Sequence, residues 1–280
     1  MKILKEDWEK DVVYLYQFKR NPYIPNLSPF CMKVELFLRA NNIPHQVIEN
    51  NKARSTKGQL PFIELNGKQI ADSEFIIYEL SEKFNIQNTL SSEKSGSLRA
   101  LTRVFDIEVS RLMSYYKIKT EEFPRAFMSV TDLPKFTYPI IIPLVRRMVK
   151  KSIKKSGYNH SDSELKEVLV RDLKAASDIL RSNKFFGGEK MAIADCAVFG
   201  QLASVYFIPW ETEAHGILRT DFPNLINYIE NVAAIYFSEF PCGQNGKHII
   251  AQERPDDIPN CPSLESVEYY NYDPDGYCNC

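Results

Sequence analysis

The fold is decided by residues Asp11 to Phe84, which read DVVYLYQFKRNPYIPNLSPFCMKVELFLRANNIPHQVIENNKARSTKGQLPFIELNGKQIADSEFIIYELSEKF. Three short motifs follow one another in this stretch: Ser28-Pro29-Phe30-Cys31, then Leu60-Pro61, then Asp72-Ser73. Ser is a favoured N-cap and Pro a favoured first helical residue, so Ser28-Pro29 predicts the start of a helix. Asp72-Ser73 predicts a second helix start, because Asp is also a common N-cap.

Short apolar runs on either side of these helices predict four strands. Asp11 to Phe18 is β-rich, and His45 to Glu49 follows the first helix, so we expect these two strands to be parallel. Gly58 to Leu65 and Lys68 to Ala71 flank Asn66-Gly67, a dipeptide typical of tight hairpin turns. The predicted order of elements is therefore β-α-β followed by β-β-α.

The sequence also predicts where the first of these helices ends and which positions of the second are apolar. The first is expected to stop near Asn41-Asn42, before Pro44. The second begins after Asp72, and its apolar positions are Phe75, Ile76, Leu80 and Phe84.

These motifs, in this order, resemble the N-terminal domain of the glutathione S-transferase superfamily. The sequence is similar to the branch of failed axon connections and cadmium-responsive proteins, which is related to metaxins, at Ser28 to Cys31, Lys57 to Phe62 and Asn66-Gly67. The resemblance runs from about Val12 to Phe240. It implies a glutathione S-transferase fold, with an α/β thioredoxin-like N-terminal domain and an all-α C-terminal domain.

Changes in composition predict three parts of the chain. Residues 10–86 form the expected thioredoxin-like domain, residues 97–240 the all-helical domain, and residues 241–280 a mobile C-terminal tail. The segment from Asn85 to Gly96, rich in Asn, Ser and Thr, is interpreted as the linker. The tail is rich in Pro, Asn, Asp, Gly and Tyr and has few aliphatic residues to bury.

The second half of the sequence is helical in its periodicity. Helices are predicted over Leu98 to Lys119, over Leu144 to Lys155, from the Ser161-Asp162-Ser163-Glu164 capping box to about Leu180, from Ala194-Asp195, and from Pro223. In the resembled family a Ser or Thr stands three residues ahead of a buried Asp in the central helix. Here Ala192 takes the first position and Asp195 the second. Asp195 can still accept hydrogen bonds from backbone N–H groups at a helix start, so it is expected to be structural.

Overall composition excludes several classes of function. A hydrophobic share of 44% and a charged share of 25% are those of a globular protein. A net charge of -1 gives no reason to expect nucleic acid as a partner. Charged residues among the first ten and the lack of an 18-residue apolar run favour a cytoplasmic location. The six scattered cysteines are expected to be reduced, and no motif predicts a metal site.

Two residues at the start of the first helix are candidates for catalysis. The resemblance implies that Ser28 occupies the position of the hydroxyl that hydrogen-bonds the glutathione sulfur in serine-type transferases. A donor beside a helix N-terminus stabilises a thiolate. The alternative is that Ser28 only caps its helix. Cys31 is the second candidate, as a lone redox or thiol-transfer nucleophile, and buried packing is its alternative.

Five further residues are predicted to bind glutathione. The resemblance implies that the backbone at Leu60 pairs with the cysteinyl part, around a cis peptide at Pro61. The alternative is a trans proline at the start of an edge strand. Asp72 and Ser73 would bind the γ-glutamyl end at a helix N-terminus, although a plain N-cap would read identically. Lys57 would reach the glycyl carboxylate, or remain a solvated loop lysine.

A cationic run from Arg146 to Lys155 is a candidate for peripheral contact with a membrane or an acidic protein. A solvated helix face is the alternative. Two functions therefore compete. The first is a serine-type transferase that binds glutathione as its substrate and conjugates it to a small electrophile in detoxification or in a metal or stress response. The second is a non-catalytic adaptor that keeps the fold for protein or membrane contacts.

Overall fold

The computed structural model describes residues 3–20, 23–124, 127, 134–155, 160–208 and 210–241. These described residues fall within one compact unit. The predicted tail, including Cys278 and Cys280, lies outside the described residues apart from Pro241. The domain boundaries predicted at residues 86 and 97 remain a prediction.

A four-stranded mixed sheet forms the centre of the first half. Its strands are β1 (Val13–Gln17), β2 (His45–Glu49), β3 (Phe62–Leu65) and β4 (Lys68–Ala71), in the spatial order β2-β1-β3-β4. β1 pairs parallel with β2, and the β1–β3 and β3–β4 pairs are antiparallel, as the sequence predicts. The Asn66-Gly67 turn has positive φ angles of 50° and 74°, which match the tight hairpin expected there.

Two helices cover one face of this sheet. α1 (Pro29–Ala40) begins at the Ser28 cap, and α2 (Ser73–Lys83) begins at the Asp72 cap, so both predicted starts are confirmed. In α1 the residues from 31 to 38 are all buried. Phe75 differs from Ile76 and Leu80, the buried apolar positions of α2, because it is 56% exposed. Its ring lies 4.2 Å below the Lys57 ammonium instead of in the core.

The N-terminal residues lie over part of the opposite face of the sheet. Glu64 of β3 is 1% exposed, and its carboxylate accepts hydrogen bonds from the backbone N–H groups of Leu4 and Lys5 at 2.9 Å each. The Tyr16 hydroxyl donates to the same carboxylate at 3.0 Å. This segment contains turns but no helix, and Glu64 holds it in place.

In the part of the second half that the structure describes, all the named elements are helices, and turns connect them. Its helices are α3 (Ser92–Val104), a π-helical turn (Phe105–Val109), α4 (Ser110–Lys119), α5 (Tyr138–Lys155), α6 (Asp162–Leu180), α7 (Ile193–Tyr206), α8 (Glu213–Asp221) and α9 (Pro223–Tyr236). The capping box at Ser161 and the start at Pro223 are confirmed. No described helix combines the length and the hydropathy that crossing a bilayer requires.

Two boundaries and one additional helix differ from the prediction. The linker is shorter, because Ser91 caps α3 through the Lys94 N–H and places Gly96 inside a helix. α5 begins at Tyr138 and includes Pro143, whereas the prediction starts it at Leu144. Pro139 lies in the first helical turn, where its missing N–H has no intrahelical partner to lose. α8 is absent from the prediction, although Thr212 and His215 cap it reciprocally.

α1 and α7 pack together at the junction of the two halves. At Gly200 of α7, a Cβ would lie 2.4 Å from the Pro29 carbonyl oxygen and 3.3 Å from the Lys33 nitrogen. Such a close approach of two backbones requires glycine. The contact therefore fixes the start of α1 against the helical half.

Candidate functional site

The sheet register brings the predicted binding residues to one edge. Phe62, which follows Pro61, pairs with Ala71, which precedes Asp72. Phe62 also pairs with Tyr16, one residue before the end of β1. Leu60-Pro61 and Asp72-Ser73 therefore lie side by side, next to the strand end that leads into the Ser28 loop.

The loop before Ser28 is tied to that strand end by Asn26. Its buried side chain donates to the Phe18 carbonyl at 2.8 Å and accepts from the Ser28 N–H at 2.9 Å. The half-buried Ser28 hydroxyl accepts from the Cys31 N–H at 3.4 Å. These contacts hold Ser28 at the positive end of the α1 dipole, where a bound thiolate would be stabilised.

Asp72, and not Ser73, provides the side-chain cap at the start of α2. The Asp72 carboxylate caps the helix by accepting from the Glu74 N–H at 3.0 Å, so the cap does not use the Ser73 hydroxyl. Asp72 has a φ of 83°, a conformation that residues with a Cβ seldom adopt. Such outliers concentrate at ligand sites and cost about 1–3 kcal/mol. The conformation makes this turn a candidate for contact with a ligand.

The Leu60-Pro61 peptide bond is cis, as the resemblance implies. Leu60 and Pro61 are both buried under the sheet edge. Lys57 lies on the preceding loop, with its ammonium 3.9 Å from the Asp72 carboxylate. Lys57, Leu60, Pro61, Asp72 and Ser73 thus meet at one place, although their roles toward a ligand remain a prediction.

Cys31 lies in the first turn of α1 and is not exposed at this edge. The side chain is fully buried, and burial raises the pKa of its thiol to about 12, even though hydrogen bonds from Ser28 and from the Phe18 backbone act in the opposite direction. A thiol of this pKa is almost wholly protonated near neutral pH, whereas nucleophilic cysteines need the thiolate. The geometry favours the packing alternative for Cys31.

The sequence prediction missed a charged cluster beside the site. Glu74 forms ion pairs with Arg99 and Arg103 of α3, which tie the start of α2 to the helical half. Lys33 of α1 pairs with Asp106 of the π-helical turn at 2.6 Å, and burial raises the pKa of Asp106 against the opposing effect of this lysine. No local motif could reveal these pairs, because their members lie 25 to 73 residues apart.

Asp195 lies away from this edge, at the start of α7. Its carboxylate accepts from the backbone N–H groups of Phe186, Gly187 and Ala192 at 2.8, 3.3 and 2.7 Å. Burial raises the pKa of Asp195 to about 6, and these three donors act to lower it. All of its described partners are structural, which supports the expected structural role.

Three further features concern pockets, metal binding and cysteines. A surface pocket of about 330 Å³ is lined by residues 116, 119, 120 and 211–213, and it includes none of the predicted binding residues. Within the described ranges, no group of three or more His, Cys, Asp or Glu side chains could hold a metal ion. The described cysteines, Cys31 and Cys196, are free thiols.

Comparison with protein families finds two matches. Residues 29–123 match the glutathione S-transferase N-terminal domain, and residues 169–232 match the glutathione S-transferase C-terminal domain. The first match begins at α1 and the second ends within α9, so both halves of the chain are involved.

Three curated proteins are similar in sequence to this chain. The chain is 30% identical to Failed axon connections of Drosophila melanogaster over 81% of its own length and 59% of that protein. It is 24% identical to a Metaxin-1 homolog of Caenorhabditis briggsae over 69% of its own length and 64% of that protein. It is also 23% identical to isoprene-epoxide–glutathione S-transferase of Rhodococcus, over 76% of this chain and 94% of that one. The chain thus spans about three fifths of the first two relatives.

Solved structures share the fold at low identity. A glutathione S-transferase III in apo form has a TM-score of 0.51 at 16% identity, covering 87% of this chain and 99% of that one. A glutathione S-transferase of Ceriporiopsis subvermispora, solved in complex with glutathione, has a TM-score of 0.55 at 16% identity, covering 81% and 97%. These likenesses establish the architecture alone.

Proposed function

Because this chain belongs to the glutathione S-transferase superfamily, we propose that it binds glutathione at the sheet edge formed by Leu60-Pro61, Asp72-Ser73 and Ser28. The observation that carries the proposal is the meeting of these three motifs, which the β1–β3–β4 register brings to the same end of the sheet. Two helix N-termini also begin there, and such termini attract carboxylates and thiolates.

Each part of glutathione has a proposed partner at this edge. Ser73 takes the γ-glutamyl carboxylate through its hydroxyl and the N-terminus of α2, with Asp72 beside it. The Leu60 backbone pairs with the cysteinyl unit, and Lys57 balances the glycyl carboxylate. Ser28 donates to the sulfur, so that the thiolate can attack a small electrophile in a serine-type conjugation. Free buried cysteines are typical of a reducing compartment, so we place this activity in the cytoplasm.

Calorimetric titration of reduced glutathione into the wild type tests this proposal. We expect micromolar binding, near -8 kcal/mol, that Ser73→Ala weakens about tenfold to a hundredfold, because a hydrogen bond to a charged group is lost. Ser81→Ala is the matched control. It changes the same residue type on α2, but its hydroxyl donates to the Ile77 carbonyl at 2.7 Å. Binding weaker than about millimolar in the wild type would sink the proposal.

The role of Ser28 is separated from simple binding by the thiol pKa. Ser28→Ala is expected to keep most of the affinity and to raise the pKa of bound glutathione, measured as thiolate ultraviolet absorbance against pH. If Ser28→Ala leaves the pKa of bound glutathione unchanged, Ser28 acts only as a helix cap.

A second candidate function is that of a non-catalytic adaptor that acts through protein or membrane contacts. It is favoured by the exposed cationic helix α5, which includes the Arg146 to Lys155 run, and by the absence of an accessible Cys31 thiol. The test replaces the exposed lysines of α5 by glutamate and compares the partners that the variant and the wild type retain. Identical retention by both proteins would count against α5 as the contact surface.

A further inference from the structure

Charge is strongly segregated along this chain. Residues 134–155 contain seven basic residues and no acidic one. The whole chain carries a net charge of -1, so the remainder carries -8 against the +7 of this segment. The segment is therefore a cationic region on an otherwise anionic protein.

The same segment exposes four large apolar side chains. Phe136, Ile140, Leu144 and Met148 are 81%, 75%, 53% and 62% exposed. They follow one another at intervals of four residues, so they form a single stripe that begins just ahead of α5 and continues along it. Scattered exposed apolar residues are normal, whereas a contiguous stripe marks an interaction surface.

The exposed cations share that outward side of the helix. At 100° per residue, five outward residues fall within a sector of about 80°: Ile140, Leu144, Arg147, Lys151 and Lys154. Lys150 is exposed as well. The outward surface of α5 is thus apolar toward its N-terminal end and cationic toward its C-terminal end.

The inward side of α5 anchors this surface to the protein. Tyr138, Ile142 and Ile153 are buried, with exposures of 9%, 7% and 5%. The Arg146 guanidinium donates to the carbonyls of Ile118 and Thr120 at 3.0 Å each, so it satisfies the end of α4. Arg146 is therefore structural, and the outward cations are Arg147, Lys150, Lys151 and Lys154.

None of these four cations takes part in an ion pair within the ranges that the structure describes. The charge of Lys150 adds only to the hydrogen bonds from Tyr115 and Lys119 that lower the pKa of Asp162. The charge of the four cations is therefore available to an external anion.

We propose that the outward surface of α5 docks onto an anionic lipid bilayer. The inference rests on the adaptor function, and it names the kind of partner for this helix. The apolar stripe enters the boundary between headgroups and acyl chains, and the four cations meet lipid phosphates and carboxylates. The protein lies on the membrane surface, held by its side chains.

Other partners explain only part of this surface. A contact between this surface and the same surface of a second copy would offer the four cations no acidic partner, because residues 134–155 contain no acidic residue. A nucleic acid would satisfy the cations but leave four aliphatic or aromatic side chains in water. An anionic bilayer accommodates both parts of the surface at once.

Flotation with lipid vesicles tests the charge requirement. The full chain is expected to bind vesicles of phosphatidylcholine with about one third phosphatidylserine, and to bind pure phosphatidylcholine far more weakly. The triple variant Lys150→Glu, Lys151→Glu and Lys154→Glu should bind at least on the order of a hundredfold more weakly, since each cation contributes about fivefold. Added salt should release the wild type.

A matched control separates this surface from net charge. The variant Lys52→Glu, Lys184→Glu and Lys190→Glu changes the same total charge at three exposed lysines elsewhere, and it should bind like the wild type. Equal loss of binding in both triple variants would overturn the proposal.

A tryptophan reporter tests insertion of the apolar stripe. The emission of Leu144→Trp should shift to the blue when anionic vesicles are added, whereas Ile235→Trp on α9 should not respond. Vesicle binding without the shift at Leu144 would overturn the docking mode. Failure to bind vesicles, with α5-dependent binding to an acidic protein, would overturn the lipid partner and leave the adaptor function intact. Glutathione affinity, measured separately, is unaffected by either outcome.

Discussion

Asp72 and Ser73 are adjacent in sequence, yet the structure separates their roles. The Asp72 carboxylate caps α2, while its backbone adopts a positive φ of 83°. The neighbouring Ser73 is 8% exposed and stands at the first helical position. A strained residue beside a helix start is what a ligand clamp requires, because the turn fixes both neighbours.

Replacement of Asp72 tests whether its backbone is strained. Asp72→Ala should lower the free energy of unfolding by about 1 kcal/mol, because the cap is lost and the strain remains. Asp72→Gly should be at least as stable as the wild type, because glycine accepts the positive φ and caps almost as well. Urea denaturation measures both variants. If Asp72→Gly and Asp72→Ala lower the free energy of unfolding equally, the positive φ of Asp72 carries no free-energy cost.

At the scale of elements, the crossing of α1 and α7 decides where the site lies. Gly200 allows α7 to reach the Pro29 backbone, so the first turn of α1 is set by contact with the helical half. The loop before that turn is held by Asn26. Ser28 is therefore positioned by both an element of the sheet domain and an element of the helical domain.

Gly200→Ala should lower the free energy of unfolding by about 1–3 kcal/mol, because the new Cβ meets backbone that cannot rotate away. The same displacement at Pro29 should weaken glutathione binding. The control is Gly216→Ala in α8, where a Cβ meets nothing within 4 Å. That variant should gain up to about 1 kcal/mol from helix propensity. A neutral Gly200→Ala in urea denaturation would contradict the packing argument.

At the scale of the whole molecule, a buried charge network joins the first and last helices. Glu35 of α1 is fully buried and forms ion pairs with Arg20 at 2.8 Å and Arg39 at 2.9 Å. Arg39 also reaches the carbonyl of Tyr236, the last residue of α9, and the carboxylate of Glu239 just beyond it. The network spans the two halves, so its loss would affect global stability.

The charge state of Glu35 predicts a pH dependence of stability. Burial alone would raise the pKa of Glu35, but the charges of Arg20 and Arg39 lower it from 4.5 to about 2. A carboxyl group whose pKa is lower in the folded than in the unfolded protein stabilises the fold at pH values above the unfolded-state pKa. For Glu35 that contribution disappears as the pH falls from about 4.5 through about 2. The contribution amounts to about 3 kcal/mol near neutral pH.

Glu35→Gln tests this pH dependence. It should be less stable than the wild type by about 3–5 kcal/mol near neutral pH, because two arginines lose their buried partner. The difference in the free energy of unfolding between the wild type and Glu35→Gln should narrow as the pH falls below about 4.5. The control is Glu167→Gln in the exposed Arg171–Glu167 pair, which should change little. A gap that is constant from pH 7 to pH 3 would assign the loss to packing instead of charge.

The family resemblance supplied the candidate residues at the sheet edge. The sequence by itself determined the order of the sheet elements along the chain, the side-chain caps that begin α1, α2 and α6, and the start of α9 at Pro223. These depend on local physics: side-chain caps, turn dipeptides and hydrophobic period act within a few residues. The N-terminal capping of α8 acts locally too, but its Thr212–His215 pair is not a common capping pattern.

Only the tertiary structure decided the surroundings of several individual side chains. It buried Cys31, turned Arg146 toward the end of α4, exposed Phe75, and paired Glu74 with two arginines from α3. Each of these outcomes depends on a partner distant in sequence. Burial and charge pairing are set by the summed packing of all the helices, and local pattern carries no information about the partner that another segment will supply.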